Sequence, residues 1–293
     1  MELTNTAGAT TGGGMTTMEP TTAGTTTGGG ITTTEPTTTE PTTTGTTSSA
    51  TSGSTVGPLC DKGEYAGDFT AETTAELDAL EGYTSITGNL KISPVFDDLV
   101  ETGALNCLRG IGGGLVLTSQ FLDPSPTQSV IDAAGLAAVT DVGGGLDVHF
   151  VGLASEHGLA QIETVGGGVR FKGVGTDVSD LLPKLTTVGD RFEIRETGFT
   201  QLDGFDALTA VQGDLAIQVN DELVGLGVFS QLTTIGGALY VEYNPKLTAL
   251  APAFPALTSA ASLVVYNNDV LSDCDAKMLA DQIGVPCDCP NCP

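Results

Sequence analysis

Six cysteines are the residues of this 293-residue chain whose type and spacing bear most directly on chemistry. They are Cys60, Cys107, Cys274, Cys287, Cys289 and Cys292. The C-terminal run CDCPNCP contains one C-x-x-C pair, and four thiolates gathered there would bind zinc. Zinc sites of this kind usually combine two separated C-x-x-C pairs, so disulfides are favoured and zinc is the alternative. We expect no metal and no cofactor.

The cysteines lie only at the two ends of the region that they bracket. An even number of cysteines favours disulfides in an exported protein. We expect Cys60 to pair with Cys107, and Cys274 to pair with one of the last three cysteines. The segment DAKMLADQIG, from Asp275, predicts a short helix that has Asp273 or Asp275 near its start, ends at Gly284 and closes the C-terminal end.

Patterns that accompany catalysis are weak in this sequence. Glycine runs at 112–114, 143–145 and 166–168 precede predicted strands, whereas phosphate-binding loops precede helices. The two histidines, His149 and His157, lie in no nucleophile motif. A polysaccharide-degrading β-helix would need carboxylates that converge from adjacent coils, and the outward strand positions show no such neighbouring pair. We therefore expect no enzymatic activity.

A repeated segment supplies the elements that position these side chains. Its copies share one aliphatic residue, two glycine-like positions and alternating apolar residues, as in VGGGVRF and IGGALYV. Seven strong copies begin at Ile86, Ile111, Val142, Val165, Val188, Val211 and Ile235, a weaker copy begins at Tyr65, and a degenerate copy begins at Ser259. Their spacings are 21, 25, 31, 23, 23, 23, 24 and 24 residues. A near-constant period in the twenties predicts a solenoid.

Each copy predicts one strand and a looser return path. The strand has period 2 and directs two side chains inward, as for Leu215 and Ile217. The glycine pair before it, such as Gly236 and Gly237, predicts a corner with positive φ. Apolar residues recur every third position on the return path, which favours short turns over a helix. An example of this spacing is the series Leu223, Leu226, Phe229, Leu232 and Ile235.

Stacked coils predict a parallel sheet with strands about 4.8 Å apart. The expected strand centres are 90–92, 115–117, 146–148, 169–171, 192–194, 215–217, 239–241 and 263–265. Asn220, Asn244 and Asn268 occupy one position after three consecutive strands. Stacked asparagines form hydrogen-bonded ladders, so we interpret them as structural, with metal or sugar ligation as the alternative.

The first 56 residues have a different composition. Thr fills 24 of these positions, and Lys and Arg are absent from them. We expect a disordered stalk over 1–56, either unmodified or O-glycosylated, and a folded domain over 57–293. We see no signal peptide at Met1 and no membrane-spanning run, and we expect an export signal upstream of Met1. A stalk and disulfides predict an extracellular or cell-surface location.

Charge narrows the range of partners. The net charge of -26 disfavours nucleic acids and anionic membranes. Outward strand positions nevertheless contain His149, Arg170, Lys172 and Arg195, with Arg191 nearby, and we treat this basic cluster as the candidate binding residues. Two interpretations stay open. Either Asp147 and Glu193 neutralise these groups in a solvated ladder, or the cluster binds an acidic ligand.

The stretch LDALEGYTSITGNLKI and the pattern L-x-x-F-x-x-L-x-x-I-G-G-x-L-x-V-x-x-N resemble the receptor L domain. That family forms ligand-binding lobes of insulin-type and epidermal-growth-factor-type receptors, and the chain also resembles bacterial cell-surface proteins with the same leucine-rich-like repeat. The resemblance covers about residues 60 to 285. It implies a mostly β, right-handed, single-stranded β-helix of about nine coils with a short C-terminal capping helix.

These observations predict a non-enzymatic recognition or adhesion module, presented on a flexible stalk, for a protein or glycan ligand. Two alternatives belong to other functional classes. One is an extracellular carbohydrate-active β-helix enzyme, and the other is a structural spacer of the cell envelope.

Overall fold

The computed structural model describes residues 59–95, 98–119, 129–175, 181–287 and residue 292. The predicted stalk over 1–56 and Cys289 lie outside the described residues.

Nine parallel strands form what we call the principal sheet. Each coil contributes one strand, and the register from Leu146 to Tyr266 proceeds without a shift. The strands are Phe69–Ala71, Leu90–Ile92, Leu115–Thr118, Leu146–His149, Val169–Lys172, Phe192–Arg195, Leu215–Gln218, Ala238–Glu242 and Ser262–Tyr266. The predicted β-solenoid and all of its predicted strand centres are therefore confirmed.

A second parallel sheet, of eight short strands, contains the aliphatic residue that opens most copies of the repeat. Its strands are Gly63–Tyr65, Tyr83–Ile86, Gly110–Ile111, Asp141–Val142, Thr164–Val165, Thr187–Val188, Ala210–Val211 and Thr234–Ile235. The expectation of a single strand per coil was wrong. Coils stacked at strand spacing also pair their backbones in this second sheet. Most of its strands are too short to show a period-2 alternation in the sequence, so they were not predicted.

The return path holds smaller elements. One small sheet has three strands, which are Leu99–Glu101, Val130–Asp132 and Gly152–Leu153. Another has two strands, which are Gln201–Leu202 and Gly225–Leu226. The 3₁₀ turns are Asp78–Leu80, Gly103–Leu105, Ala133–Leu136, Glu156–Leu159 and Ala251–Ala253. The α-helices are Thr74–Leu77 and Asp273–Ile283. Apart from the four-residue helix Thr74–Leu77, the described part of the return path between the strands consists of turns and short strands, and the threefold spacing predicted the turns.

Inward side chains of all sheets meet in one apolar core. Leu215 and Ile217 of a central strand are fully buried, as the period-2 pattern predicted. Phenylalanines of successive return paths stack inside the coils, with ring centroids 5.6 Å apart for Phe205 and Phe229 and 5.0 Å apart for Phe229 and Phe254. Each coil therefore buries its apolar side against its neighbours, as a solenoid requires.

The glycine corners arise from close approach of coils, and the prediction of positive φ at Gly236 and Gly237 was wrong. A Cβ atom on Gly112 would lie 2.5 Å from the carbonyl oxygen of Thr87, and one on Gly144 would lie 2.7 Å from the amide nitrogen of Gly114. Side chains are thus excluded there because the neighbouring backbone occupies the space.

Left-handed backbone occurs instead at the far end of the strands. Six consecutive coils place a residue with φ between 52° and 62° just after the strand: Phe150, Gly173, Glu196, Val219, Tyr243 and Asn267. Five of these six are not glycine, and each such residue costs about 1–2 kcal/mol. The neighbouring turn must therefore be stabilised by other contacts.

In the last three of these six coils, an asparagine ladder supplies such contacts. The side chain of Asn220 donates to Ile194 O at 3.2 Å and to Asn244 Oδ1 at 3.0 Å, and Asn244 Oδ1 also accepts the backbone N–H of Asn220 at 3.2 Å. Asn268 continues the pattern, because its Oδ1 accepts the N–H of Asn244 at 3.0 Å. Asn220 and Asn244 are fully buried. The structural interpretation of this column is confirmed.

Disulfides close both ends, as predicted. Cys60 is bonded to Cys107 with a Cα–Cα distance of 5.3 Å, and Cys274 is bonded to Cys292. Cys287 is also disulfide-bonded. The C-terminal helix begins at Asp273, one of the two residues expected near its start, where the Ser272 side chain caps it, and it ends at Gly284 with φ 72° as predicted.

The C-terminal helix docks on the last coil through polar contacts at both of its ends. Asp275 in its first turn accepts the backbone N–H groups of Leu250 and Ala251. Gln282 in its last turn donates to Phe254 O and Leu257 O, each at 2.8 Å. The helix therefore covers the open end of the core.

Candidate functional site

The candidate binding residues lie together on the outward face of the principal sheet. The register aligns two columns of three residues: Asp147, Arg170 and Glu193, and then His149, Lys172 and Arg195. Arg191 lies two residues before Glu193, at the corner that leads into the same strand. The structure thus brings all five candidate residues together, four of them in the columns that strand periodicity predicted and Arg191 beside them.

Asp147 connects the two columns. Its Oδ1 lies 2.8 Å from Nδ1 of His149 and accepts a hydrogen bond from Nε of Arg170 at 2.9 Å. A second nitrogen of Arg170 contacts Oδ2 of the same carboxylate. Burial acts to raise the pKa of Asp147, but the hydrogen bonds from His149 and Arg170 outweigh it and hold this pKa below its usual range. The carboxylate therefore stays ionised between two donors.

Arg191 joins carboxylates of two coils. Its Nη2 donates to Glu193 Oε1 at 3.1 Å and to Gln218 Oε1 at 3.3 Å, and its Nη1 donates to Asp214 Oδ2 at 3.3 Å. The guanidinium carbon lies 5.8 Å from the ring centroid of Tyr240. About 39% of the side chain is exposed, so the group is held in place yet open to solvent on one side.

Glu196 partners the remaining two cations. Nε of Arg195 donates to Glu196 Oε1 at 2.7 Å, and Nζ of Lys172 lies 3.7 Å from Glu196 Oε2. The hydrogen bond from Arg195 is the main reason that the pKa of Glu196 is below its usual range. Lys172 Nζ also lies 5.2 Å from the ring centroid of Phe150.

Every basic side chain of the cluster therefore contacts a carboxylate. Asp147 and Glu193 act as counter-ions, as one sequence interpretation proposed. Glu196 and Asp214 were missed because neither lies in the two columns that we aligned. Glu196 occupies the left-handed position after its strand, and Asp214 lies at the next corner. Binding of an acidic ligand by this cluster stays a prediction.

A shallow cleft of about 420 Å³ adjoins the cluster, at the corner edge of the sheet. We call it the glycine cleft, because Gly114, Gly145 and Gly168 of three successive coils line it. Its other lining residues include Val116, Asp147, Arg170, Arg191 and Glu193. This volume lies within the range of small-ligand sites in proteins.

The cleft glycines belong to a column of aligned corner residues. The first residue of each strand donates its N–H to the corner carbonyl of the next coil, as Leu115 does to Gly145 and Val169 does to Arg191. These bonds align the corner positions of six successive coils, which are Asn89, Gly114, Gly145, Gly168, Arg191 and Asp214. Three of these six corner residues, Asn89, Arg191 and Asp214, are not glycine, so the backbone at this corner can accommodate a side chain.

Two other surface features bring fewer charged side chains together than the basic cluster does. Tyr243 and Tyr266 are 47% and 56% exposed and pack edge to face, with ring centroids 5.6 Å apart. His157 lies on the return path beside a concavity of about 460 Å³ that small residues line. Ser155 in that concavity donates to Asp132, which caps the neighbouring 3₁₀ turn.

The four C-terminal cysteines do not form the alternative zinc site, because Cys274 and Cys292 are joined to each other. Within the described residues, no group of three or more His, Cys, Asp or Glu side chains is placed to hold a metal ion.

Comparisons with known proteins give no family for this chain. No protein-family model matches it, and no curated protein matches it either. The described helices include none with the length and apolarity needed to cross a membrane.

Proposed function

We propose that this chain is a non-enzymatic recognition or adhesion module that acts outside the cell or at its surface. The observation that carries the proposal is the outward face of the principal sheet. Its side chains stand in aligned columns on paired strands, and the charged residues are held by specific partners. Such a face is ordered before a ligand arrives, which lowers the entropic cost of binding.

The disulfides support the location. Bonds at both ends of a solenoid persist in oxidising compartments and are rare in the cytosol. The resemblance to receptor L domains, which we also propose as the family relationship, agrees with a binding role.

The state of the carboxylates supports the non-enzymatic part of the proposal. A glycosidase needs one carboxylic acid whose pKa is raised, so that it can protonate the leaving group. On this face, Asp147 and Glu196 have lowered pKa values because cations donate hydrogen bonds to them. Glu193 contacts Arg191, and Glu242 accepts a hydrogen bond from Gln218 at 2.5 Å. These carboxylates are placed as counter-ions and acceptors.

Binding and turnover measured on the same samples test the proposal. The full chain is applied to protein and glycan arrays, and retained glycans are then assayed for newly released reducing ends. We expect saturable binding without release of reducing ends. The control is the chain reduced and unfolded in denaturant, which keeps its composition and charge but loses the sheet. Release of reducing ends would establish the enzyme, and absence of any specific binding would favour the envelope spacer.

A further inference from the structure

The corner column shows which chemical group fits beside each coil. Where the corner residue is Asp or Asn, its side-chain oxygen accepts the N–H of the corner residue in the next coil. Asp68 accepts from Asn89 at 2.7 Å, and Asn89 accepts from Gly114 at 2.7 Å. Asp214 accepts from Ala238 at 2.9 Å. The corner amides thus point toward the place where the preceding corner side chain would lie.

In the glycine cleft those side chains are missing. The corner residues before Gly145, Gly168 and Arg191 are themselves glycines and offer no side-chain oxygen. Among the residues that the structure describes, no hydrogen bond from these three amide N–H groups to a protein acceptor is found. Three donors on successive coils therefore face the cleft, about one strand spacing or 4.8 Å apart.

Packing demands glycine less strictly at Gly114 and Gly145 than at the two positions before each of them, whereas a Cβ atom on Gly168 would lie 2.8 Å from Arg191 O. A Cβ atom on Gly114 would lie 3.0 Å from Gly145 O, and one on Gly145 would lie 3.0 Å from Gly168 O. The Cβ of Gly112, by contrast, would lie 2.5 Å from backbone. Asn89 and Asp214 occupy the corresponding position in other coils, so an open space in three consecutive coils is a distinct feature of this region.

The charges beside the cleft favour a carboxylate as the missing acceptor. Asp214 provides the precedent, because one of its oxygens accepts an amide N–H while the other lies 3.3 Å from Arg191 Nη1. Arg170 and Arg191 line the cleft and are 44% and 39% exposed, so each guanidinium retains N–H donors that face solvent. A ligand carboxylate in the cleft would combine an amide and a guanidinium in the same way.

We propose that the glycine cleft binds the carboxylate groups of an acidic glycan, with a uronate ring lying on the bare backbone of Gly114, Gly145 and Gly168. This inference rests on the proposed recognition function and names its ligand class. An extended acidic peptide matches less well, because its side chains on one face recur about every 6.6 Å, whereas the cleft amides recur about every 4.8 Å.

The test fills the cleft with the side chain that neighbouring coils already use. Gly145→Asn supplies an oxygen for the N–H of Gly168, as Asn89 does for Gly114, and adds no charge. Gly103→Asn is the matched control, since a Cβ atom at that exposed position meets nothing within 4 Å. The probes for calorimetric titration of the full chain are trigalacturonate, its methyl ester and a triglutamate peptide. Thermal unfolding of each variant verifies that it is folded.

We expect trigalacturonate to bind the wild-type chain, and the methyl ester to bind at least about tenfold more weakly because it lacks the charge. Gly145→Asn should weaken trigalacturonate binding at least about tenfold without lowering thermal stability, and Gly103→Asn should leave it unchanged. Equal binding of acid and ester, equal binding by Gly145→Asn, or no binding of trigalacturonate would each overturn the inference. Preferential binding of triglutamate would overturn the glycan assignment. In all four cases, specific binding on the arrays would leave the proposed recognition function intact.

Discussion

The side-chain nitrogen of Asn220 lies 3.0 Å from the side-chain oxygen of Asn244, one coil further along the chain. Both residues are fully buried, and each follows a non-glycine residue in left-handed conformation, Val219 or Tyr243. Each asparagine thus satisfies backbone groups of the preceding coil, and Asn220 also donates to the side chain of Asn244. The ladder couples successive coils at the position where the backbone is least favourable.

Replacement of Asn244 should therefore destabilise the solenoid strongly. In Asn244→Ala, the buried N–H of Asn220 and carbonyl of Ile217 lose their partners, which should lower the free energy of unfolding by about 2–4 kcal/mol. Urea denaturation followed by circular dichroism measures this change. The control is Asn89→Ala, which removes a comparable acceptor at an exposed corner and should cost under about 1 kcal/mol. Equal losses in the two variants would contradict a special role of the buried ladder.

The two located disulfides should differ in their contribution to stability. Cys60 and Cys107 are 47 residues apart and Cys274 and Cys292 are 18 apart, so the first bond restricts the unfolded chain more. In the chain-entropy model, removal by paired Cys→Ser substitution should cost about 4 kcal/mol for the first bond and about 3 kcal/mol for the second. Denaturant midpoints of both double variants test this order. The reverse order would show that contacts at the C-terminal end matter more than loop length.

The lowered pKa of Asp147 predicts acid-dependent stability. A carboxyl group whose pKa is lower in the folded chain contributes stability above its unfolded pKa of about 3.9, and this contribution disappears as the pH falls through the folded value. Asp147→Asn should therefore be less stable than wild type at pH 7, and the difference should shrink below about pH 4. Denaturation between pH 7 and pH 2 measures it. Asp269→Asn, at an exposed position, is the control, and a pH-independent difference for Asp147→Asn would refute the coupling.

Simultaneous replacement of Arg170, Lys172 and Arg195 by Gln tests the basic cluster. If the cluster binds an acidic ligand, the triple variant should bind at least about tenfold more weakly and lose most of its salt dependence. Binding to the cognate surface is measured at low and moderate salt. A matched variant, Lys246→Gln, removes an exposed cation that pairs with Glu222 on the return path and should change nothing. Unchanged binding and salt response in the triple variant would show that the cluster is a solvated ladder.

The fold was predictable because one short pattern recurs nine times and strand side chains alternate with period 2. Leu215 and Ile217 were assigned inward, and Arg170 outward, from alternation alone, and the parallel register confirms the alignment. The second sheet was not predicted, since most of its strands have two residues and show no period. The conformation of the corners was wrong, because the glycine requirement arises from contact between coils that are distant in sequence.

The candidate site was predictable only along the columns. Repeat spacing placed His149, Lys172 and Arg195 together. It did not reveal that Glu196 pairs with Lys172 and Arg195, or that Asp214 pairs with Arg191, because neither carboxylate lies in the columns. Side-chain length allows such diagonal pairs, and alignment of the repeats does not reveal which ones form. The corner amides without a side-chain acceptor were also not predicted, because a glycine in the sequence does not show that the amide of the next coil lacks a partner.

Because the register of the principal sheet is unshifted, the number of coils can change without altering how the remaining coils pack. Between Val165 and Ser259 the repeat recurs every 23 or 24 residues, and strands, corners and turn residues keep the same alignment. Duplication or deletion of one whole coil would join surfaces that already match, and would move the two ends by about 4.8 Å relative to each other. Evolution can therefore change the reach of the molecule in uniform steps while each remaining coil retains its neighbours.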